Sequence, residues 1–381
     1  MAPLRPEGAD AVPNDVAAPE GAVPPVEPSG TPDSDPAPLY AALDLGTNSC
    51  RMLIARPRGS QFLVVDSFSK TVQLGVGLEA SGRLSRASMG RTVQALRICQ
   101  KKLESHGVRR MRLVATEACR RARNARDFIR QVRRETGLSL EIIAPQEEAR
   151  LAVVSCAPLV TGETEQLLVV DIGGGSTELV WIDLRAVAPQ DRQRALLRFS
   201  TGFRVEGAGA EPRVVDWISV PLGVATLREQ FGDVEDDAAR FALMSWFFEE
   251  NLGRFGPYAT GAPPPAGFQI IGTSGTITTV AASWLGLRRY DRAKVDGLTM
   301  TSAQIDAVIR DYLSLGPEGR RSDPRIGRDR HMLIMSGAAI LQTLMRIWPT
   351  ERLSVADRGL REGLLYAQMA ADGVLTDGPM T

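Results

Sequence analysis

The sequence predicts an α/β protein made of two related halves that face a shared cleft. Two observations carry this expectation. Of the 381 residues 44% are apolar, and the first half alternates short β-prone runs with amphipathic helices. In addition, one chemical pattern occurs twice. Residues 167–183 read LLVVDIGGGSTELVWID and residues 40–56 read YAALDLGTNSCRMLIAR, so Asp44, Gly46 and Ser49 recur as Asp171, Gly173 and Ser176 at a constant offset. In each copy a run too short for a helix ends in Asp-x-Gly, and a second apolar run follows. Glycines between two strands permit a turn with free φ and no side chains in the way. Such a turn can set several N–H groups against an anion, beside a carboxylate able to hold a neutralising metal. One copy alone fits equally a tight hairpin whose glycines only satisfy turn geometry. The repeat favours one phosphate-binding hairpin from each half.

Taken in order, the first 38 residues hold ten of the 24 prolines and no aromatic residue. They cannot bury enough apolar area to offset ordering, and a disordered tail is expected. The tail lacks the basic start and apolar stretch of a signal peptide. Residues 40–56 form the first hairpin and 61–69 a third strand, while 70–75 suit either a further strand or a loop. Residues 85–106 form an amphipathic helix, with Met89, Val93, Leu96 and Leu103 at helical spacing. A strand at 112–116, a helix at 124–136, a strand at 140–143 and a helix from Pro145 to Ala157 follow. Beyond the second hairpin, the polar stretch 185–213 is expected to be a surface loop. Residues 253–267, rich in Gly and Pro, read as a connection. Gly272-Thr273-Ser274-Gly275 follow a short apolar strand within 269–279. The ordered chain is thereby divided into domains 39–153 and 154–372, flanked by the 1–38 and 373–381 tails.

Composition narrows the function. Basic and acidic residues number 45 each, which argues against a general nucleic-acid binder; DNA is not an expected partner. Nearly all basic residues are arginines, suited to bidentate phosphate contacts, although a GC-rich genome produces the same bias. No run approaches ~20 apolar residues, so no membrane-spanning helix is expected. Cys50, Cys99, Cys119 and Cys156 are scattered without a CxxC pair and read as reduced core residues of a cytoplasmic protein. The two histidines, His106 and His331, speak against histidine-ligated metal centres and phosphohistidine chemistry.

The paired hairpins resemble those of the actin, hexokinase and Hsp70 superfamily, whose duplicated ribonuclease H-like domains enclose an interdomain cleft. There a glycine turn comparable to 272–275 faces the nucleoside; here it either contacts substrate or closes the cleft. Six segments extend the likeness: ATxxxRxAxNxxxF from Ala115, EIIxxxEEARL from Glu141, VVDIGGGSTELV from Val169, PLGVxxL from Pro221, GTSGT from Gly272 and RGLREGLL from Arg358. In this order they are similar to the exopolyphosphatase and guanosine pentaphosphate phosphohydrolase (Ppx/GppA) family, over roughly residues 40–371. Larger members carry a C-terminal His-Asp-type domain. Only 16 residues follow the last motif, so the short two-domain form is expected.

The resemblance implies hydrolysis of a terminal phosphoanhydride, with release of orthophosphate from inorganic polyphosphate or from the 5′ end of pppGpp. Polyphosphate is the first expectation and pppGpp the alternative. A non-catalytic regulator that binds either is disfavoured by retention of the acidic residues. The family match implies Glu148 as general base, Glu178 as an acid assisting metal or water, and Asp44 and Asp171 as holders of Mg²⁺. It implies Arg120 as a contact to the polyphosphate chain. Thr47, Asn48, Ser49, Gly173, Gly174, Gly175, Ser176 and Thr177 would bind phosphate, and Gly272, Thr273, Ser274 and Gly275 would make further substrate contacts. By pattern alone, Glu147 and Glu148 are both first-turn acids that complement a helix dipole, and the two aspartates are turn initiators. Arg121, Arg123, Arg126 and Arg130 form either a solvated helix face or an extended basic track. A homodimer is compatible with the sequence and not specified by it.

Overall fold

Two mixed sheets carry the chain, and both are wired alike. The computed structural model describes residues 37–201, 211–261, 263–327 and 330–375; most of the expected N-terminal tail, part of the 185–213 insert and residues 376–381 lie outside these. The first sheet holds β1 (Tyr40–Leu45), β2 (Ser49–Arg58), β3 (Gln61–Thr71), β4 (Arg110–Ala115) and β5 (Glu141–Ile142), in the order β3-β2-β1-β4-β5. The second holds β6 (Gln166–Ile172), β7 (Thr177–Asp183), β8 (Arg213–Val220), β9 (Phe268–Thr273), β10 (Thr299–Met300) and β11 (Leu353–Ala356), in the order β10-β11-β9-β6-β7-β8. In each, three antiparallel strands form a meander whose first strand continues into parallel neighbours. The second sheet adds only the antiparallel edge strand β10. This is the duplicated α/β architecture of actin-like folds.

Alternation along the leading strands explains why both faces are covered. Leu168 and Val170 enter a core with Trp181, Ile270 and Trp348, whereas Leu167 and Val169 pack with Ala149 and Val153 of the helix Pro145–Cys156. In β1, Ala41, Leu43 and Leu45 face Val93, Leu96 and Leu103 of the helix Arg86–Ser105. Tyr40 and Ala42 face Leu364 and Met369 of the C-terminal helix Leu360–Ala371. Each such buried aliphatic side chain contributes about 1.5–3 kcal/mol relative to exposure. Gly363 lets the helix Leu360–Ala371 cross the helix Pro145–Cys156, because a Cβ there would collide with the Leu151 carbonyl. The 153/154 point falls inside the latter helix.

Three segments differ from expectation. Residues 70–71 finish β3, and the loop after them returns to the first hairpin: Val72 and Gln73 N–H both donate to the Asn48 carbonyl at 2.9 Å, and Gly75 N–H to that of Thr47 at 2.9 Å. The insert is not a plain surface loop. It contains a helix, Arg192–Leu197, and a 3-10 turn, Arg198–Thr201, which bury Leu196 and Phe199 against the helix Pro145–Cys156. Arginines mask that apolar content in sequence. Arg192 itself is buried, donating to the carbonyls of Gly162 (2.6 Å) and Val187 (3.3 Å). Finally, 269–279 is a strand-to-helix junction, since a helix starts at Gly275 (Gly275–Trp284). All four cysteines are buried and free, and no helix among the described residues is long and apolar enough to cross a membrane.

Candidate active site

The two hairpin turns meet tip to tip. Each closes with the same bond, Gly46 N–H to Ser49 O and Gly173 N–H to Ser176 O, both 2.9 Å. Outside partners then take the turn carbonyls. The 72–75 loop serves those of Thr47 and Asn48. Val224 (3.0 Å) and Ala225 (2.8 Å), which open the helix Val224–Gln230, serve those of Gly173 and Gly174. The N–H groups of Thr47, Asn48, Gly174 and Gly175 take no acceptor among the described residues, which leaves an anion-ready set of donors. None of the glycines Gly46, Gly173, Gly174 and Gly175 has a positive φ. They are required by close approach instead of handedness. A Cβ on Gly174 would lie 3.2 Å from both Asn48 N and Thr47 Cβ, and one on Gly175 would overlap the Thr47 hydroxyl. Gly223 of the PLGV segment has the same reason: its Cβ would lie 2.5 Å from the Gly173 carbonyl.

Beside the turns opens a cleft of about 290 Å³. Register places acids at its floor, with Asp44 opposite Arg51 across β1–β2 and Asp171 opposite Glu178 across β6–β7. The helix Pro145–Cys156 separates its two first-turn acids. Glu147 turns outward to Arg112 (2.7 Å) and Arg150 (3.4 Å), whereas Glu148, 9% exposed, turns inward to Arg120 at 2.7 Å. Arg120 is further engaged by Glu117 at 2.8 Å and the Ile143 carbonyl at 3.1 Å. Glu178 is buried and accepts a hydrogen bond from Ser219 at 2.7 Å.

Burial and mutual repulsion hold these acids above the ordinary carboxylate range. Burial, then the charges of Glu148 and Asp44, pushes Asp171 up to about 8. Burial and Asp171 push Glu178 up to about 7, against relief from Ser219 and Ser176. Burial and Glu178 raise Glu148 well above its usual value despite Arg120. Burial raises Asp44, with Arg51 and Arg361 opposing. An all-oxygen donor set carrying this much unbalanced charge fits a hard divalent cation such as Mg²⁺, which needs only one or two carboxylates and keeps several waters. Among the described residues no group of three or more His, Cys, Asp or Glu is placed to hold a metal ion by itself.

A basic wall was missed in the sequence. Arg51, Arg330 and Arg361 line the same cleft. Burial first, and then Arg361, lowers the proton affinity of Arg51, whose buried Nε has no hydrogen-bond partner; the Thr47 hydroxyl is likewise unpartnered. Arg330 donates to the Gly275 carbonyl at 2.9 Å and to the hydroxyls of Thr278 and Thr279. Hairpin register could have revealed Arg51, which follows Ser49 by two and must face Asp44. Nothing local marks Arg330, because only tertiary packing brings it to Gly275.

Of the expected site residues, Asp44, Thr47, Asn48, Ser49, Glu148, Asp171, Gly173, Gly174, Gly175, Ser176, Thr273, Ser274 and Gly275 line the cleft. Glu178 and Arg120 stand directly behind, in contact with Ser219 and Glu148 respectively. Two further expected residues are turned away from the cleft altogether. Thr177 is fully buried and donates to the Leu222 carbonyl at 2.8 Å, because the strand pleat turns it away from the tip. Gly272 lies inside β9, where its missing Cβ admits the Ile277 side chain. Ser274 caps the helix Gly275–Trp284 through its side chain, which accepts from Thr276 N–H at 3.1 Å and Ile277 N–H at 3.3 Å. Arg121 is paired with Glu79 and Arg130 with Asp127, while Arg123 and Arg126 are exposed.

Comparison with known proteins gives the family and the fold. The model of the Ppx/GppA phosphatase family matches residues 53–371. Curated relatives named guanosine-5′-triphosphate,3′-diphosphate pyrophosphatase include those of Aeromonas salmonicida, 29% identical over 333 residues, and Aeromonas hydrophila, 30% identical over 332. The alignments cover 87% of this chain, which spans 59% of the length of each relative. The crystal structure of the Aquifex aeolicus Ppx/GppA family member is similar with a TM-score of 0.68 and 29% identity, covering 88% of this chain and 98% of that one. An exopolyphosphatase from Cytophaga hutchinsonii, 21% identical with a TM-score of 0.73 and covering 88% and 98%, shares the fold.

Proposed function

The chain belongs to the Ppx/GppA phosphatase family, and from that membership we propose that it removes the terminal 5′ phosphate of pppGpp, giving ppGpp and orthophosphate. The names of the two Aeromonas relatives support pppGpp over linear polyphosphate, the substrate the sequence suggested first. The observation that carries the reaction class is Glu148, aimed inward beneath two facing turns with free N–H groups while its neighbour Glu147 points out.

In this reading the N–H groups of Thr47, Asn48, Gly174 and Gly175 hold the terminal phosphate, and the basic wall of Arg51, Arg330 and Arg361 takes the phosphates that remain. A water attacks the terminal phosphorus in line with the bridging oxygen. Glu148 accepts the water proton as the new P–O bond forms, and the bridging oxygen leaves with the bonding pair. Burial raises the proton affinity of Glu148, which strengthens it as a proton acceptor. Arg120 fixes its carboxylate in place. Asp44 and Asp171 would hold Mg²⁺, which when bound neutralises phosphate charge. Asp and Glu are thus both needed, for different tasks.

Parallel assays with magnesium decide the substrate. Equimolar orthophosphate and ppGpp should form from pppGpp, with kcat/KM at least tenfold above that for polyphosphate chain ends. The opposite ratio would return the assignment to exopolyphosphatase.

A further inference from the structure

The basic wall of the cleft is held unevenly. Arg51 stands in β2 opposite Asp44, and Arg330 donates to the Gly275 carbonyl and to the hydroxyls of Thr278 and Thr279. The Arg361 side chain has no hydrogen-bond partner among the described residues, and the only carboxylate paired with it is Glu362, at 3.7 Å. The Arg361 charge also bears on Arg51, where it adds to burial in lowering the proton affinity, so the two cations repel.

Glu362 is 3% exposed and sits in the first turn of the helix Leu360–Ala371. Its two oxygens are used differently. Oε2 accepts the Gly359 N–H at 2.9 Å and so caps the helix, a task that glutamine performs as well. Oε1 is buried and has no hydrogen-bond partner. Two guanidinium groups approach it to 3.7 Å, those of Arg361 and Arg292. Arg292 is already committed, because its Nη2 donates to the Asp357 carbonyl at 2.7 Å. A buried carboxylate is costly unless it is paired, so capping alone does not account for a charge here. That charge reaches the cleft: burial first, then Glu362, raises Asp44, while Arg51 and Arg361 lower it.

We propose that Glu362 is the positioning residue of the basic wall: its free oxygen draws the Arg361 guanidinium to the cleft and keeps it there against Arg51. An arginine side chain has many rotamers to lose, and no hydrogen bond restrains this one. With Glu362 behind it, Arg361 is ordered before an anion arrives, so binding does not bear that cost. The role rests on the function proposed above, in that Arg361 meets the phosphates of the substrate.

A double-mutant cycle tests it. Glu362→Gln keeps the helix cap and removes the charge, and Arg361→Gln removes the guanidinium. Each alone should raise KM for pppGpp about tenfold, and the double variant should be no worse than Arg361→Gln alone. The kcat of Glu362→Gln should stay within about threefold of the wild type, and the variant should melt no lower. Binding without turnover gives a second reading: in chelator, inorganic pyrophosphate should raise the thermal midpoint less in each single variant than in the wild type, and no less again in the double. Effects that multiply in the double variant overturn the proposal, as does an unchanged KM in Glu362→Gln. A Glu362→Gln enzyme that melts lower and loses activity independently of Arg361 marks a cap residue only, which overturns it too. If the wild type turns over polyphosphate and not pppGpp, the function proposed above falls, and the same cycle is read on polyphosphate.

Discussion

Replacing Glu148 with Gln should raise or preserve stability while it abolishes turnover. Its ionised carboxylate is held at a cost, because burial and Glu178 favour the protonated form and Arg120 only partly compensates. A group whose folded-state proton affinity is raised destabilises the fold at pH 7, where the unfolded chain would be ionised. Glutamine removes that charge and keeps the shape. Arg120 retains Glu117 and the Ile143 carbonyl, so no buried cation is stranded. Loss of a general base should lower kcat about 10²–10⁴-fold. Glu147→Gln is the control, since it shares the helix end but points to Arg112 and Arg150. There the loss is a partly exposed ion pair, about 0–1 kcal/mol, and kcat should stay within a factor of two. Phosphate release and thermal midpoints on both variants give a crossed pattern: Glu148→Gln inactive and no less stable, Glu147→Gln active and slightly less stable. An active Glu148→Gln enzyme, or an inactive Glu147→Gln one, would refute the assignment of the base.

Three further outcomes are expected. In chelator, stability should fall as pH rises from about 4 to 8, because the folded chain keeps on Asp171 a proton that the unfolded chain releases. A value raised from 3.8 to about 8 bounds the effect at roughly 5–6 kcal/mol at 1.36 kcal/mol per tenfold change in proton affinity; Asp171→Asn should flatten urea-midpoint-versus-pH curves, and an unchanged slope counts against it. Gly175→Ala forces a methyl onto the Thr47 hydroxyl and to 3.0 Å from Glu117 Cγ. It should cost about 1–3 kcal/mol of stability and separate the turns, so normal kcat in this variant would show that their contact is dispensable. Burial pushes the thiols of Cys119 and Cys156 up to about 12, and all four cysteines are buried; a thiol reagent at pH 8 should label none before denaturant is added and all four after.

Period-2 burial and the repeated Asp-x-Gly turn were legible in the chain itself because both are local. Apolar runs such as Leu167–Val170 must be covered on two faces, and an antiparallel hairpin places Asp171 and Glu178 opposite each other by register alone. The resemblance in six ordered segments then named the acids. What the sequence could not decide is which way each side chain turns and what reaches it from afar. Glu147 and Glu148 are adjacent first-turn acids, and only packing of the helix Pro145–Cys156 on the second sheet sends one to Arg112 and the other into the cleft. The glycines suggested freedom of φ, yet the close approach of Thr47 to Gly174 and Gly175 from the other half is what requires them. Arg330 meets Gly275 only because the chain returns to β9 after the intervening helices. Likewise, Thr177 and Gly272 stand within motifs but are turned by pleat and packing into the core. A local pattern sets which residues share an element. Which of them share a site depends on contacts between residues far apart in the chain, and those form only when the two sheets are assembled.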